Sequence, residues 1–367
     1  MNKTLLKNFR RIAIKVGSNV LTNSNGTLDI KQINHLVSQI SALHEQGIEV
    51  VLISSGAVAA GRGEITISKK TSQIASKQVL AAIGQVKLMA LYLDLFKNYG
   101  IQSAQVLTTK ENFGDRRHYL NMKNCISAML ENSVIPIVNE NDTISVTELM
   151  FTDNDELSGL IASMMDCDAL IILSNVDGIF TGKPGDEGVE LIPEITEETG
   201  SLEQYISNTK SGFGRGGMLT KCNIAQKIAS EGIQVIIANG TRKNIINDIL
   251  TQTSTPCTRF VANQAKSNGV KKWLSHSNTF AKGIVYINKG AKDALMGNQA
   301  TSLLLIGIEK VEGLFEQGDI VRIFDEKNQQ IGLGKSQYSS TSADELKGEK
   351  RKKPFIHYDY LLLNETN

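Results

Sequence analysis

A lysine and a glycine-serine turn stand at the end of the first apolar run of the chain (RIAIKV). Lys15 lies in this run, and Gly17 and Ser18 follow it. Ligands of α/β proteins bind at the carboxyl ends of buried parallel strands, where backbone N–H groups of such a turn and an ammonium group suit a phosphate. The next apolar run also ends in small residues, among them Ser55 and Gly56. Two such turns at neighbouring strand ends predict a binding site.

Amide and carboxylate side chains cluster in two connections between predicted strands and helices. Residues 139–142 (NEND) follow the fourth apolar run, and residues 153–155 (DND) precede a predicted helix over residues 156–165. One Asp or Asn is enough to cap a helix, so capping explains only part of the second cluster. We predict that the clusters bind an amino acid, because its ammonium group is attracted to carboxylates and its carboxylates accept hydrogen bonds from amides.

A glycine-rich segment, residues 211–221 (SGFGRGGMLTK), contains a formal G-x-G-x-x-G pattern. A dinucleotide-binding pattern must directly follow a buried strand, but the polar residues 207–210 precede this one. We predict instead a glycine loop that leads into a helix, with Lys221 in the first turns of that helix. The N–H groups at the start of such a helix and the nearby cation favour phosphate.

Several common functional classes lack support in the sequence. It contains no complete Walker A motif, no H-R-D or D-F-G motif of protein kinases and no G-x-S-x-G motif. The four cysteines and five histidines have no zinc-site spacing. Lys and Arg total 39 against 38 for Asp and Glu, so the overall charge favours neither nucleic acid nor membrane. Without a signal-peptide pattern or an uninterrupted 18-residue apolar segment, we expect a cytoplasmic protein.

Apolar runs and helical patterns alternate up to about residue 250. The runs are typical of strands buried on both faces, and the segments 33–43 and 73–99 between them have the patterns of helices. This alternation predicts an α/β fold with a mainly parallel sheet covered on both faces. The predicted strands are residues 11–16, 48–53, 101–107, 134–138, 169–173 and 233–238.

The pattern changes after residue 256. Short predicted strands at residues 283–287, 302–308 and 319–324 are separated by glycine-containing turns and lack long helical patterns between them. A chain of 367 residues is long enough for two domains. We predict a ligand-binding domain over residues 1–256, a linker over 257–274 and a small β-rich domain over 275–367.

Together these segments resemble the amino acid kinase family, and within it the bacterial enzymes that phosphorylate the side chain of L-glutamate and carry a C-terminal PUA domain. The resemblance runs from Ile12 to about Leu363, and the order and spacing of its segments make it specific. It implies an αβα sandwich followed by a small PUA-like barrel. The most specific segments are 12–22 (IAIKVGSNVLT), 53–62 (ISSGAVAAGR), 74–85 (IASKQVLAAIGQ), 138–143 (VNENDT), 153–162 (DNDELSGLIA) and 214–221 (GRGGMLTK).

The resemblance also implies roles for individual residues. Lys15 and Lys221 would neutralise charge on the transferring phosphoryl group, and Asp155 would hold both lysines in place. The glutamate-binding positions would be Ser55, Gly56, Asn139, Asn141, Asp142 and Asn154. The ATP-binding positions would be Lys15, Gly17, Ser18, Ser174, Asn175, Gly214, Arg215, Gly216, Gly217, Met218 and Lys221.

The chain departs from the family pattern in two regions. Ser174 and Asn175 stand where the family usually has Thr-Asp, and Arg215 stands where a small polar residue is common. The resemblance therefore supports contacts with the phosphates of ATP more than contacts with the purine. In the PUA-like segment Leu305 replaces a frequent proline, and the expected fold of that segment is unchanged.

The resemblance implies a kinase that uses ATP and Mg²⁺, with the ion held mainly through the ATP phosphates and not by a protein metal site. Its product would be L-glutamyl 5-phosphate, made in the first step of proline synthesis. The family further implies a homodimer or tetramer and feedback inhibition by proline. Functional coupling to glutamyl-phosphate reductase is a further expectation, and direct transfer of the product to that enzyme is left open by the sequence. Two alternatives remain at this point: a related kinase that acts on N-acetylglutamate, and a protein that binds RNA through its PUA-like domain while the kinase scaffold is inert.

Overall fold

The computed structural model describes residues 9–145, 151, 154–196, 199, 218–251, 254–263, 269–297, 301–350 and 353–364. The chain divides into two compact units. The first comprises Met1–Asn112 and Leu120–Lys266, and the second comprises Phe113–Tyr119 and Ser267–Asn367. The second unit therefore includes a short segment from the first half of the chain.

Strands and helices alternate along the first unit. The described strands up to residue 263 are β1 (Arg11–Val16), β2 (Glu49–Ser54), β3 (Gln102–Thr108), β4 (Val134–Glu140), β5 (Ala169–Ser174), β6 (Ile179–Phe180), β7 (Leu191–Ile192), β8 (Glu194–Ile195), β9 (Gln234–Asn239) and β10 (Cys257–Phe260). The described helices in the same range are α1 (Ser18–Leu21), α2 (Ile30–Glu45), α3 (Ala57–Arg62), α4 (Gln73–Lys97), α5 (Glu111–Gly114), α6 (Arg116–Glu131), α7 (Asn154–Met164), α8 (Met218–Ser230) and α9 (Ile245–Leu250).

A mainly parallel sheet organises this unit, as the sequence predicts. Among the described residues the strand order is β3-β4-β2-β1-β5-β9-β10-β8, and each neighbouring pair is parallel except β9 and β10. A short antiparallel pair, β6 and β7, lies outside this sheet. The carboxyl ends of β4, β2, β1 and β5 consequently lie along one edge of the sheet, which brings together the turns singled out from the sequence.

Both faces of the central strands are covered. On β1, Ile12 and Ile14 belong to a buried cluster that includes residues of α2, α4 and α9. Side chains alternate between the faces of a strand, so Ala13 and Lys15 point to the opposite face, which α7 covers. This explains why β1 is apolar at nearly every position although only one of its faces meets the larger cluster.

The edge strand β3 differs from the predicted strand over residues 101–107. That prediction assumed burial on both faces, but β3 has three exposed, two half-buried and two buried residues. The strand pairs only with β4 in the described part of the sheet. Its polar residues Gln102 and Gln105 lie on opposite faces of the strand and are both exposed, so neither face of this edge strand is fully buried.

By length and composition, α4 is apolar enough to span a membrane, and it is the one described helix that meets this test. Core helices of globular proteins have the same properties. Its residues Leu88, Tyr92 and Phe96 are buried in the main core cluster. A face of α4 thus packs against the sheet.

Two glycines allow α3 and α4 to approach each other closely. A Cβ atom at Gly61 would lie 2.0 Å from the carbonyl oxygen of Leu80, and one at Gly84 would lie 1.8 Å from the carbonyl oxygen of Ala57. No side chain fits at either distance, because real Cβ contacts stay beyond about 3 Å. Both positions therefore require glycine for the observed crossing.

The second unit is built on a smaller sheet. Its described strands are β11 (Gly283–Ile287), β12 (Ile308–Glu312), β13 (Ile320–Phe324), β14 (Gln330–Lys335) and β15 (Leu361–Leu363), and its helices are α10 (Gly269–Ser275), α11 (Lys289–Leu295) and α12 (Ser340–Leu346). The strand order is β12-β11-β13-β14-β15, with β11 and β13 the parallel pair. Buried Trp273 donates a hydrogen bond from Nε1 to the carbonyl oxygen of Phe113 at 2.9 Å, within the same unit.

One predicted strand of this unit is wrong. Residues 302–308 are apolar enough for a strand, but Leu303 makes only an isolated bridge to Ile356 and Leu305–Gly307 form a 3₁₀ turn. The strand begins at Ile308 instead. Gly307 permits the turn to pack against α11, since a Cβ there would lie 2.5 Å from the Cβ of Ala291.

The contact between α3 and α4 gives a direct stability test. Gly84→Ala should lower the free energy of unfolding by about 1–3 kcal/mol, the range for overpacking in a tight interior, although alanine is the better helix former. The measurement is urea unfolding followed by circular dichroism. Gly63→Ala is the matched control, because its φ of −74° is helical and its Cβ would lie 3.4 Å from the nearest atom. Equal urea midpoints for Gly84→Ala and Gly63→Ala would contradict the conclusion that the helix crossing requires glycine at position 84.

Candidate active site

A buried carboxylate joins two lysines at the centre of the first unit. Asp155 Oδ1 forms an ion pair with Lys15 Nζ, and Asp155 Oδ2 lies 2.7 Å from Lys221 Nζ. The side chain of Asp155 is completely buried, that of Lys15 is 6% exposed and that of Lys221 is 16% exposed. The two ammonium groups are therefore held close together by one carboxylate.

Three elements supply this cluster. Lys15 is next to the last residue of β1, Asp155 is in the first turn of α7, and Lys221 is in the first turn of α8. Burial by itself would raise the pKa of Asp155, but the positive charges of Lys15 and Lys221 outweigh it and lower the pKa of this carboxyl group. Asp155 is therefore ionised at neutral pH, and the cluster as a whole carries one excess positive charge.

The turn after β1 leaves room beside the ammonium group of Lys15. The backbone N–H of Gly17 donates to the carbonyl oxygen of Leu173 at 3.0 Å, which fixes the turn against β5. A Cβ at Gly17 would lie 3.6 Å from Lys15 Nζ. Any larger side chain would therefore occupy the space that an anion needs, and Ser18 begins α1 directly afterwards.

The other predicted ATP-binding residues divide into three groups. Ser174 closes β5 beside β1, and its hydroxyl oxygen accepts a hydrogen bond from the N–H of Val176 at 3.3 Å. Asn175 is exposed, and Met218 begins α8. Gly214, Arg215, Gly216 and Gly217 lie outside the described residues.

An ion pair that the sequence did not suggest lies in the loop after β5. Arg242 donates from Nε and Nη2 to the two carboxylate oxygens of Asp177 at 2.6 and 2.8 Å. The hydrogen bond from Arg242 is the main cause of the lowered pKa of Asp177. Arg242 lies in the loop that follows β9, so this ion pair connects the loop after β5 with the loop after β9.

A second polar cluster lies at the ends of β2 and β4. The side-chain amide of Asn154 donates to Ser55 Oγ at 2.8 Å, to the carbonyl oxygen of Ser54 at 3.2 Å and to Asn139 Oδ1 at 3.2 Å. Asn154 directly precedes Asp155 in α7. The first turn of α7 thus connects the lysine cluster with the predicted amino-acid site.

Helix α4 supports this second cluster from one side. Gln85 accepts a hydrogen bond from Asn139 Nδ2 at 2.9 Å, and the hydroxyl of Tyr92 lies 2.9 Å from Ser54 Oγ. Burial raises the pKa of the Tyr92 hydroxyl to about 12, although its hydrogen bond with Ser54 lowers it. Neither residue was predicted from the sequence to belong to the site.

The turn after β2 requires glycine. Gly56 has a φ of +101° and stands at the start of α3, and a residue with a side chain is strained in this left-handed conformation. The strand end and α3 therefore meet at Gly56 without an intervening loop, next to the hydroxyl group of Ser55.

The remaining predicted glutamate-binding residues lie in the turn after β4. The backbone N–H of Asn141 donates to the carbonyl oxygen of Thr108 at 2.8 Å, and its side chain accepts from the hydroxyl of Thr143 within the same turn. Asp142 forms an ion pair with Lys77 of α4 at 2.7 Å. Asn141 shapes the turn, whereas Asp142 presents a carboxylate.

Glu140 is the acidic residue of the NEND segment that the sequence analysis left without a role. It is 8% exposed, and Oε1 accepts a hydrogen bond from the backbone N–H of Phe151 at 3.1 Å. Burial and then the negative charge of Asp142 raise its pKa to about 7, while Phe151, Lys77 and Ser145 act in the opposite direction. The sequence signal that could have identified Glu140 is an acidic residue at the end of an apolar strand, between Asn139 and the polar turn that begins at Asn141.

The geometry suits the binding of phosphate anions at the lysine cluster. Within the described ranges no three His, Cys, Asp or Glu side chains are arranged to hold a metal ion. The ammonium groups of Lys15 and Lys221, held by Asp155, and the amide groups of Asn139 and Asn154 converge on the site, and ammonium and amide groups bind anions.

Comparisons with known proteins agree over nearly the whole chain. The model of the amino acid kinase family matches residues 10–239, and that of the PUA domain matches residues 283–355. The chain is similar to the glutamate 5-kinase of Bacteroides thetaiotaomicron, with 57% identity over 97% of this chain and 99% of the relative. It is also similar to the glutamate 5-kinase of Chlorobaculum tepidum, with 51% identity over 97% and 98% of the two chains.

A solved structure supports the fold. Carbamate kinase from Giardia lamblia bound to AMP-PNP aligns with a TM-score of 0.50 over 70% of this chain and 99% of that chain. The identity is 19%, so this likeness concerns the arrangement of the sheet and helices and not the substrate.

The raised pKa of Glu140 predicts a dependence of stability on pH. The unfolded chain releases this proton near pH ~4.3, whereas the folded protein keeps it to about pH 7. The folded state therefore binds more protons between these values, and this residue makes the protein less stable as pH rises through that window. Glu140→Gln, which stays neutral, should gain stability relative to the parent between about pH 4.5 and 7 and keep a constant difference above pH 7.

Urea unfolding at a series of pH values measures this difference. Glu64→Gln is the control for the loss of one carboxylate, because Glu64 pairs with Lys87 at the surface. A difference between Glu140→Gln and the parent that stays flat from pH 4.5 to 7 would show that Glu140 is already ionised across the window.

Proposed function

Because the chain belongs to the amino acid kinase family, we infer that it catalyses the reaction for which its relatives are named, the glutamate 5-kinase reaction. It transfers the γ-phosphoryl group of ATP to the γ-carboxylate of L-glutamate, which gives L-glutamyl 5-phosphate and ADP in the first step of proline synthesis. The observation that carries this function is the pair of ammonium groups, Lys15 and Lys221, on the buried carboxylate of Asp155.

The acceptor needs no general base. A glutamate side chain has a pKa near ~4.3, so its γ-carboxylate is already an anion at neutral pH. An oxygen of this carboxylate attacks the γ-phosphorus, a new P–O bond forms, and the bond from γ-phosphorus to the bridging oxygen breaks. ADP leaves with the electron pair of that bond, and no proton has to move.

Repulsion between anions is the main obstacle to this step. The carboxylate, the transferring group and the leaving ADP are all negatively charged, and fixed cations stabilise such an arrangement. Lys15 and Lys221 supply these cations, and Asp155 holds them close together before the substrates bind. Mg²⁺, which would be held mainly through the ATP phosphates, would add positive charge there when bound.

The amide cluster would hold the acceptor. In this proposal Ser55, Asn139 and Asn154 orient the γ-carboxylate side of glutamate towards the lysines, and Asp142 attracts its ammonium group. Gly56 and Asn141 shape the two turns around the ligand. Support comes from the direct contacts of Asn154 with Ser55 and Asn139.

The nucleotide would lie on the other side of the lysines. Gly17 would leave space for the nucleotide beside Lys15, because its own N–H is bonded to Leu173, and Ser18 would present its backbone N–H there. The first turn of α8, from Met218 to Lys221, would direct further N–H groups towards the phosphates. Ser174 and Asn175 would contribute to the nucleoside end. The glycines at 214, 216 and 217 and Arg215 keep their proposed part in the phosphate loop.

The wider context of the enzyme is proposed on the same basis. The catalytic domain would extend beyond the predicted boundary at residue 256, because β10 (Cys257–Phe260) pairs with β9 in the main sheet. The PUA domain would follow it, in a cytoplasmic homodimer or tetramer. Proline would inhibit by occupying the glutamate site, and the labile acyl phosphate would pass to glutamyl-phosphate reductase. RNA binding by the PUA domain is a secondary proposal, since the basic run at Lys350–Lys353 is short.

The acceptor can be identified by trapping the product. Purified protein with MgATP and hydroxylamine should form hydroxamate with L-glutamate and not with N-acetylglutamate, L-aspartate or carbamate, and proline should suppress the signal. The measurement is the colour of the iron–hydroxamate complex. Signal with another acceptor would retain the kinase fold but change the substrate, and no signal with any acceptor would favour a binding protein.

The second lysine gives a test of mechanism. Lys221→Ala should lower turnover on the order of 10²–10³-fold, by analogy with removal of one oxyanion donor. The KM for L-glutamate should change less than about threefold, because the lost interaction is made mainly in the transition state. Steady-state kinetics measure both values.

Lys123→Ala is the matched control for loss of a paired lysine, since Lys123 pairs with Asp166 at the surface at 2.8 Å. It should retain the turnover of the parent. If Lys221→Ala keeps the turnover of the parent, Lys221 does not stabilise the transition state.

A further inference from the structure

A cavity of about 320 Å³ lies where α3, the start of α4 and the turn after β4 meet. Its charged lining residues are Arg62, Lys77 and Asp142. The proposed roles above assign the ammonium group of glutamate to Asp142, but they leave its α-carboxylate without a partner. Two cations of this cavity, Arg62 and Lys77, are candidates to bind the α-carboxylate.

Lys77 and Asp142 form one wall of this cavity as an ion pair. Lys77 Nζ lies 2.7 Å from Asp142 Oδ1, and the two side chains are 38% and 13% exposed. Asp142 is mostly covered, whereas more than a third of the Lys77 side chain is open to solvent. Both residues line the cavity, so a ligand in it can reach them without opening the core.

The α-amino acid end of glutamate is complementary to such a pair. It carries an ammonium group and a carboxylate on one carbon, and a lysine–aspartate pair presents the two opposite charges side by side. Asp142 alone would place a protein carboxylate next to the α-carboxylate of the ligand, which is repulsive. Lys77 removes this repulsion and donates charge-assisted hydrogen bonds to the α-carboxylate.

A continuous set of contacts connects this wall with the reaction centre. Asn139 and Asp142 belong to the same short segment at the end of β4, and Asn139 contacts Asn154. Asn154 precedes Asp155, which holds the two catalytic lysines. A glutamate whose α-carbon end lies at Lys77 can therefore direct its side chain along this segment towards the lysine cluster.

We propose that Lys77 is a specificity-determining residue that binds the α-carboxylate of L-glutamate while Asp142 binds its ammonium group. The inference rests on the proposed function and deepens it. It also gives a reason for rejecting N-acetylglutamate, because acetylation removes the positive charge that would face Asp142 and adds bulk at the same wall.

Arg62 is the competing cation in the same cavity. It lies at the end of α3 and is exposed, whereas Lys77 is already in contact with the carboxylate that would receive the ammonium group. The lysine–aspartate pair holds two opposite charges side by side, as the two groups on one α-carbon require. The geometry therefore favours Lys77 over Arg62.

The test uses two analogues that each lack one charged group of glutamate. Glutarate keeps both carboxylates and lacks the ammonium group, and 4-aminobutyrate keeps the ammonium group and lacks the α-carboxylate. Lys77→Met should raise the KM for L-glutamate about 10- to 100-fold, the loss expected for a charge-assisted hydrogen bond. It should raise the inhibition constant of glutarate by a similar factor and leave that of 4-aminobutyrate unchanged.

Three further variants make the result specific. Lys77→Arg keeps the charge and should recover most of the affinity for L-glutamate. Lys87→Met removes another lysine of α4, one paired with Glu64, and should not affect any of the three ligands. In Arg62→Met, the inhibition constants of glutarate and 4-aminobutyrate should remain those of the parent.

The proposal is overturned if Lys77→Met leaves the KM for L-glutamate unchanged, or if it weakens all three ligands by the same factor, as a general loss of shape would. It is also overturned if Arg62→Met, and not Lys77→Met, weakens the binding of L-glutamate and glutarate but not that of 4-aminobutyrate. These outcomes are all measured against a parent protein that phosphorylates L-glutamate. Failure of the proposed function would appear earlier, as a parent without glutamate-dependent hydroxamate.

Discussion

The site depends on one buried negative charge. Without Asp155, two ammonium groups would face each other in an interior from which water is largely excluded, and an unpaired buried charge is costly. With Asp155, the lysines are held at the ends of β1 and α8 with one excess positive charge. The fold brings three elements that are distant in sequence to this carboxylate, and in the proposed function an arriving phosphate would meet charges that are already arranged.

Helix α4 provides the second constraint, because it fixes the acceptor side. Lys77, Gln85 and Tyr92 contact Asp142, Asn139 and Ser54 respectively. The three residues follow one another at intervals of about two helical turns, so they lie along one face. A helix whose composition is that of a core element is therefore also a support for the binding site, and its polar residues are the ones that reach the strand ends.

Much of this organisation follows from the sequence. The buried parallel strands, the two polar clusters and the positions of Lys15 and Lys221 could be recognised because apolar runs and turn chemistry are local signals. The role of Asp155 in holding both lysines was implied only by the family resemblance. Lys77, Gln85 and Glu140 could not be recognised in the same way, since their importance arises from what lies across from them. A periodic polar stripe in the Ala/Leu-rich helix was the available signal for the first two. The strand predicted at residues 302–308 failed because Gly307 allows a tight turn that an apolar pattern does not reveal.

The glycine crossing of α3 and α4 has a mechanical consequence. At Gly61 and Gly84 the backbone of each helix touches the other directly, so no compressible side chain separates them and the two helices shift as one body. Gly56 begins one helix and Lys77 belongs to the other. In the proposed site, a displacement at Lys77 would therefore reach the turn beside Ser55, and the two ends of a bound amino acid would be held by one rigid pair of helices.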